Sequence, residues 1–163
     1  MYTILGPLLR TELGLDETDV LLVRLAGLPA MLLGPLAGWL AGRFGPERVA
    51  VAGFMLAAAG LAAEAVSVAA LWALVIASVI FVAGIATVIP SVIALVGGRG
   101  GSSRAGALGI CGLALFVGAA CGPLAAELPL GFTGLLLLLA SLLIVGAALV
   151  AISGRRTAEV STV

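Results

Sequence analysis

Side chains that could bind a proton or a solute are rare in this chain, and four of them interrupt long apolar runs. These are Arg24, Glu64, Thr87 and Ser91. A carboxyl group in apolar surroundings can take up and release a proton, an arginine can bind an anion, and a hydroxyl can bond a solute. We therefore treat these four residues as candidates for a substrate or proton path.

Each candidate also has a structural interpretation. Glu64 precedes Ser67 near the middle of a long apolar run and fits an interfacial carboxylate in a short hairpin. Arg24 stands one turn into its run, where its side chain can extend to the surface. Pro90 leaves the carbonyl of Ala86 without its backbone donor, and a hydroxyl one turn away could replace that donor. Both interpretations stay open at this stage.

Other kinds of chemistry lack the residues that they need. Histidine is absent, which removes the commonest metal ligand and acid–base group and argues against a metal site or a hydrolase. The stretch GGRGGSSR, at 97–104, has no lysine and no preceding strand, so it does not fit a nucleotide-binding loop. A net charge of zero argues against nucleic acid as a partner. No cofactor is implied, and an enzyme is disfavoured.

The elements that carry these residues must suit a lipid environment. The chain is 63% hydrophobic and only 10% charged, whereas soluble domains have roughly a quarter charged residues. Runs such as GLLLLLASLLIVGAALVAI, at 134–152, do not alternate apolar with polar residues, as barrel strands would. The sequence therefore predicts an all-α fold, a polytopic transmembrane helical bundle.

The lengths of the apolar runs set the number of spans. Residues 49–96 are 48 in number with a single charge, and one helix of that length would measure about 72 Å against a hydrocarbon core of about 30 Å. The run 105–153 is equally long and contains Pro129, so each run must form two helices. We predict one transmembrane domain, 1–163, with a partial helix at 1–13, five complete spans at about 20–41, 49–68, 70–96, 105–126 and 130–153, and a tail at 154–163.

The charges predict how these spans are oriented. Six of the eight arginines follow the first, third and fifth complete spans, at 43, 48, 99, 104, 155 and 156. Most carboxylates, including Glu64 and Glu127, fall on the other side. Arginine-rich loops stay in the cytoplasm. We therefore expect a multi-pass protein of the plasma (inner) membrane, with loops 42–48 and 97–104 and the C-terminus cytoplasmic.

A glycine-containing stretch joins the first two complete spans. Gly34, Gly38 and Gly42 recur at every fourth residue, which leaves a stripe without side chains where another helix can approach closely. Gly45 permits a sharp turn, and Pro46 suits the first position of the next helix. This stretch predicts a tight helix–turn–helix connection.

The same stretch resembles the loop signature of the major facilitator superfamily of secondary transporters. The matching residues are Gly38, Leu40, Arg43 and Gly45, with Gly42 at the acidic position of the signature and Arg48 as its remaining basic residue. The resemblance implies a gating role for this loop at the inner side. The glycine at the acidic position departs from the pattern and removes one of the contacts that hold the inner gate.

A second element, at 118–123, is similar to the glycine–proline element in helix five of antiporters of this family. It consists of Gly118, Gly122 and Pro123. The glycines allow close contact between helices, and the proline bends its helix. Simple packing with a kink is the alternative interpretation.

The resemblance covers nearly the whole chain and implies half of a transporter. An uncharged stretch at 71–96 favours the second six-helix half, with its first helix truncated. The function implied is secondary active transport by alternating access, namely proton-coupled efflux of a small organic solute or drug. The expected partners are the lipid bilayer, the small-molecule substrate, and the missing transporter half or a second copy. The alternative is a non-transporting scaffold or assembly subunit that binds partner helices.

Overall fold

The computed structural model describes residues 33–66, 71–126 and 131–160, and no strand occurs within these ranges. The helices are α1 (Leu33–Phe44), α2 (Pro46–Val66), α3 (Leu71–Arg99), α4 (Arg104–Ala126) and α5 (Gly131–Val160), with a 3₁₀ turn at Gly101–Ser103. The predicted all-α fold is confirmed. The predicted partial helix at 1–13 and most of the predicted span at 20–41 lie outside the described residues.

Within the described ranges, four helices are long and apolar enough to cross a membrane. These stretches are Pro46–Val66, Trp72–Arg99, Gly101–Ala125 and Thr133–Gly154. Helix α2 ends at Val66 and α3 begins at Leu71, so residues 64–66 of the hairpin expected at 64–69 are helical and the rest of it lies outside the described residues. Pro129, where a break was expected, also lies outside the described residues. The segment expected to be a tail from 154 onwards continues α5 as a helix up to Val160.

The turn between α1 and α2 forms as its residues predict. Gly45 has φ = +88°, a conformation that residues with a Cβ atom rarely adopt. Its N–H donates to the carbonyl of Ala41 at 3.0 Å, which closes the end of α1. Pro46 is the first residue of α2, where a missing N–H costs no helical bond.

Helix α2 lies at the centre of the bundle and packs against α3 and α5. Its contact with α5 encloses a core cluster of Leu61, Ala65, Leu136 and Ala140. Its contact with α3 is closer, because glycines bring the two backbones together. A Cβ atom added at Gly60 would lie 2.6 Å from the backbone nitrogen of Phe81. A stripe of small residues therefore exists, but it lies on α2 and α3.

Four of the five glycines predicted to form packing stripes have free space beside them. A Cβ atom added at Gly38, Gly42, Gly118 or Gly122 would have no neighbour within 4 Å among the described residues. The fifth predicted packing glycine, Gly34, lies in the first turn of α1. Close packing at these positions remains a prediction about a partner, since the helices of the described bundle do not supply it.

Candidate functional site

Two polar clusters lie near opposite ends of α2. Glu47 is in its first turn and Glu64 in its last. They are 17 residues apart in sequence, which corresponds to about 26 Å along the helix axis. The first cluster joins three helices, and the second is buried between two helices.

At the first cluster, Arg99 joins α3 to α2 and α5. Its guanidinium forms an ion pair with Glu47. It also donates to the side-chain oxygen of Ser153 at 3.1 Å and to the backbone carbonyl of Ser153 at 3.3 Å. The side chains of Arg99 and Glu47 are about one-third exposed, 36% and 34%, so the pair contributes at most about 1 kcal/mol in water. Its main effect is geometric, because it joins the start of α2 and the end of α3 to Ser153 of α5.

The Arg99 contacts bring the turns at 43–48 and 99–104 to the same end of the bundle. Glu47 belongs to the first of these turns, and Arg99 begins the second. Ser153 of α5, seven residues before the last residue of that helix, contacts Arg99 there. This common end is the arrangement that the charge pattern of the sequence requires.

Arg43, the central cation of the loop signature, contacts aromatic rings. Its guanidinium carbon lies 5.6 Å from the ring centre of Trp39 and 6.0 Å from that of Phe44. These are cation–π distances, and at an exposed position such a contact stabilises by about 0.5–1 kcal/mol. The signature has an acidic residue where this chain has Gly42. The carboxylate that forms an ion pair at this end of the bundle is Glu47, and its partner is Arg99.

At the second cluster, Glu64 is fully buried, with 0% of its surface exposed. The hydroxyl of Ser78, on α3, donates to its Oε1 at 2.6 Å. Its Oε2 is also buried and has no hydrogen-bond partner among the described residues. The side chain of Glu64 therefore points into the contact between α2 and α3 and away from the surroundings of the bundle.

The reason for this burial is the helical position of Glu64. It follows Gly60 by four residues and Leu61 by three, and both are buried on the faces that meet α3 and α5. Residues three or four apart share one side of a helix, so the spacing itself contained the signal. Ser78, by contrast, was missed, because sequence spacing does not tell which residue of another helix lies opposite.

The hydroxyls of Thr87 and Ser91 bond to their own helix. Thr87 donates to the carbonyl of Ala83 at 2.8 Å, and Ser91 donates to that of Thr87 at 2.7 Å. The expected bond to the carbonyl of Ala86 is not the one made. A helical hydroxyl reaches the carbonyl three or four residues before it, and Ala86 stands one residue before Thr87 and five before Ser91.

The remaining candidate residues and the cavities do not provide a second buried polar site among the described residues. Arg24 and Glu127 lie outside the described residues. Apolar grooves of about 220 and about 330 Å³ are formed by the described residues, and among those residues Ser141 contributes the polar side chain that lines them. The described residues contain no group of three or more side chains that could hold a metal ion. The Glu64–Ser78 pair is thus the buried polar site that this part of the chain provides.

Four apolar spanning helices, arginines gathered at one end and a buried carboxyl–hydroxyl pair define a polytopic membrane protein. The family model of the Major Facilitator Superfamily matches residues 1–162. The chain therefore belongs to the Major Facilitator Superfamily, a family of membrane transporters that are generally not enzymes. No curated protein and no solved structure matches it. The family resemblance carried by the loop at 38–48 is confirmed.

Proposed function

We propose that this chain forms one lobe of a secondary active transporter, which exports a small organic solute in exchange for protons by alternating access. The observation that carries the proposal is the exposure of α4. Not one described side chain of this spanning helix is buried, although the other spanning helices all bury residues in the bundle. A helix left open in this way fits a lobe whose second lobe packs beside it.

The open surface of α4 combines large apolar side chains with small residues. Ile110, Leu113 and Phe116 are 65–79% exposed. Gly118 and Gly122 have free space beside them, and small residues are what close helix contact in a membrane requires. We assign this chain to the second six-helix half of the transporter. The proposed occupant of the α4 surface is the missing first half, and a second copy of the chain is the alternative.

The charged end supports a cytoplasmic orientation. Arg43, Arg48, Arg99 and Arg104 stand in two turns that the Glu47–Arg99 pair holds together. Arginine-rich loops are retained in the cytoplasm. We infer that the signature loop closes the inner side of the transporter, where its exposed ion pair can break and re-form as lobes rock. The membrane is the plasma (inner) membrane.

The buried carboxyl supports coupling to protons. Ionisable residues inside spanning segments are costly and are found where ions or substrates bind. Glu64 is such a residue, and it touches a second polar group, Ser78. Efflux and antiport are therefore the forms of transport that we propose.

The test has two steps. Cys121 is exposed on α4, so a benzophenone maleimide attached to it in membranes, in a Cys111→Ala background, would crosslink whatever packs there. The chain and its crosslinked partner are then purified and reconstituted into liposomes with an imposed pH gradient, with ethidium as the probe solute.

Ethidium movement that a protonophore abolishes would support the proposal, with either kind of partner. A partner that assembles with the chain but gives no gradient-driven movement of ethidium, or of any solute in a broader panel, would favour the scaffold alternative and overturn the transport proposal.

A further inference from the structure

One oxygen atom in the bundle is buried without a partner. Oε1 of Glu64 accepts a hydrogen bond from Ser78, whereas Oε2 has less than 1 Å² exposed and no donor in reach among the described residues. An ionised carboxylate accepts several hydrogen bonds, and leaving a buried charge so poorly satisfied is costly. A proton on Oε2 removes that charge.

We propose that the Glu64–Ser78 pair is the proton-binding site of the transporter, with Oε2 of Glu64 as the atom that takes up the proton. This inference rests on the proposed function and assigns its coupling ion to one atom. In the step itself, a proton adds to Oε2 while Ser78 keeps its bond to Oε1. No other bond forms or breaks, and release is the reverse.

The charged side chains of the described helices lie away from the site. Helix α2 packs against α1, α3 and α5, and their described charged side chains, Arg43 and Arg99, lie at the far end of the bundle. The described side chains of α5 carry no charge. Glu127, in the segment between α4 and α5, lies outside the described residues and is an acid in any case. The described helices thus place no cation beside Glu64, and residues 1–32, with the N-terminal amine, Arg10 and Arg24, lie outside the described residues.

The helices hold the two residues at a fixed separation. Gly60, one turn before Glu64, contacts the backbone of Phe81, one turn after Ser78. Because the backbones already touch, the helices cannot close further around a bare carboxylate. Loss of the proton should therefore favour an arrangement in which Oε2 finds another donor or water, and this differential stability is what couples proton binding to a change of state.

The position of the site suits an exporter. Glu64 stands two residues before the end of α2, at the end opposite Arg99. With the arginine end in the cytoplasm, the pair lies towards the outer side, from which protons enter in exchange for exported solute.

The test uses dicyclohexylcarbodiimide, an apolar reagent that reacts with protonated carboxyl groups buried in membranes. The carboxyl oxygen adds to the central carbon of the carbodiimide and its proton moves to a nitrogen. Rearrangement then gives a stable N-acylurea. The purified chain in liposomes is treated over a range of pH, and labelled peptides are identified by mass spectrometry.

We expect labelling at Glu64 in acidic buffer that falls by about tenfold per pH unit once the proton is lost. Glu64→Gln should abolish it, and Glu47→Gln, a carboxyl lost from the opposite end of the same helix, should leave it unchanged. Ser78→Ala should move the pH at which labelling is half complete, because the hydroxyl of Ser78 bonds the carboxyl group that takes up the proton.

Absence of label at Glu64 at every pH, in folded protein, would overturn the inference, and so would labelling that does not depend on pH. Because labelling needs no transport, its failure alongside proton-driven ethidium flux would remove this site and leave the proposed function standing. Labelling of Glu64 without ethidium flux would support the proton-binding site and argue against the proposed function.

Discussion

A Cβ atom built on Gly84 would lie 2.7 Å from the Cα atom of Ala57, so the backbones of α3 and α2 are in contact at this point. Gly53 and Gly60 make similar approaches to α3, at Val88 and Phe81. Side chains of any size at these positions would separate the helices that hold Glu64 and Ser78. The close contact is therefore the support on which the buried pair depends.

Gly84→Ala should destabilise the chain by about 1–3 kcal/mol, because the added methyl group meets backbone atoms that cannot rotate away. Thermal unfolding in detergent, followed by tryptophan fluorescence, measures this. The matched control is Gly112→Ala on α4, where no atom lies within 4 Å among the described residues. Equal stability of the two variants would contradict the α2–α3 contact.

Gly122→Leu should leave the unfolding temperature of the isolated chain unchanged and reduce ethidium flux in the assembled transporter by about tenfold, or about 1.4 kcal/mol. The reason is that Gly122 has open space in the described bundle but lies on the surface proposed to meet the second lobe. Gly60→Leu is the comparison, since it should destabilise the chain itself. Unchanged flux in Gly122→Leu would argue against α4 as the interface.

The Glu47–Arg99 pair should show a coupling energy below about 1 kcal/mol, because both side chains are partly exposed. A double-mutant cycle of Glu47→Gln and Arg99→Gln measures it by thermal unfolding, and the coupling should shrink as salt is raised. Arg48→Gln removes an exposed arginine from the same end and serves as the control. A coupling that salt leaves unaltered would mean that the pair is not the exposed contact described.

Cysteines placed at Arg48 and Ser102 should react with a membrane-impermeant maleimide only from the cytoplasmic side. Both residues are exposed and lie in the two turns joined through Arg99. Val66→Cys, at the opposite end of α2, should react only from the outside, and Cys111→Ala with Cys121→Ala gives the background. Labelling of positions 48 and 102 from opposite sides would be incompatible with the topology.

Thr87→Val and Ser91→Ala should each change ethidium flux by less than about twofold, corresponding to less than about 0.5 kcal/mol. Their hydroxyls are bonded to carbonyls of their own helix, and such bonds add little stability to a helix that already has its backbone bonds. Flux and unfolding temperature together give the measurement. A tenfold loss of flux in folded protein would instead indicate that these residues contact the substrate or the proton.

Some features of the site were predictable from sequence and others were not. The sharp turn at Gly45 followed from local chemistry, because a positive φ and the start of a helix at Pro46 depend on those residues alone. The hydroxyl bonds of Thr87 and Ser91 followed local rules too, but the carbonyl at Ala86 was the wrong acceptor. The burial of Glu64 stayed open, since a carboxylate beside a helix end is compatible both with a contact between helices and with an exposed surface.

By itself, the sequence determined that this protein is a bundle of membrane-spanning helices of the Major Facilitator Superfamily. Those properties depend on the length of apolar runs relative to a bilayer and on a loop signature. Both are features of the linear sequence and need no knowledge of contacts between helices. The tertiary structure alone decided that Ser78 bonds Glu64, that Arg99 joins Glu47 to Ser153, and that α4 stays uncovered. These contacts depend on how each helix is rotated and which helix lies beside it, and side-chain packing between distant segments sets both.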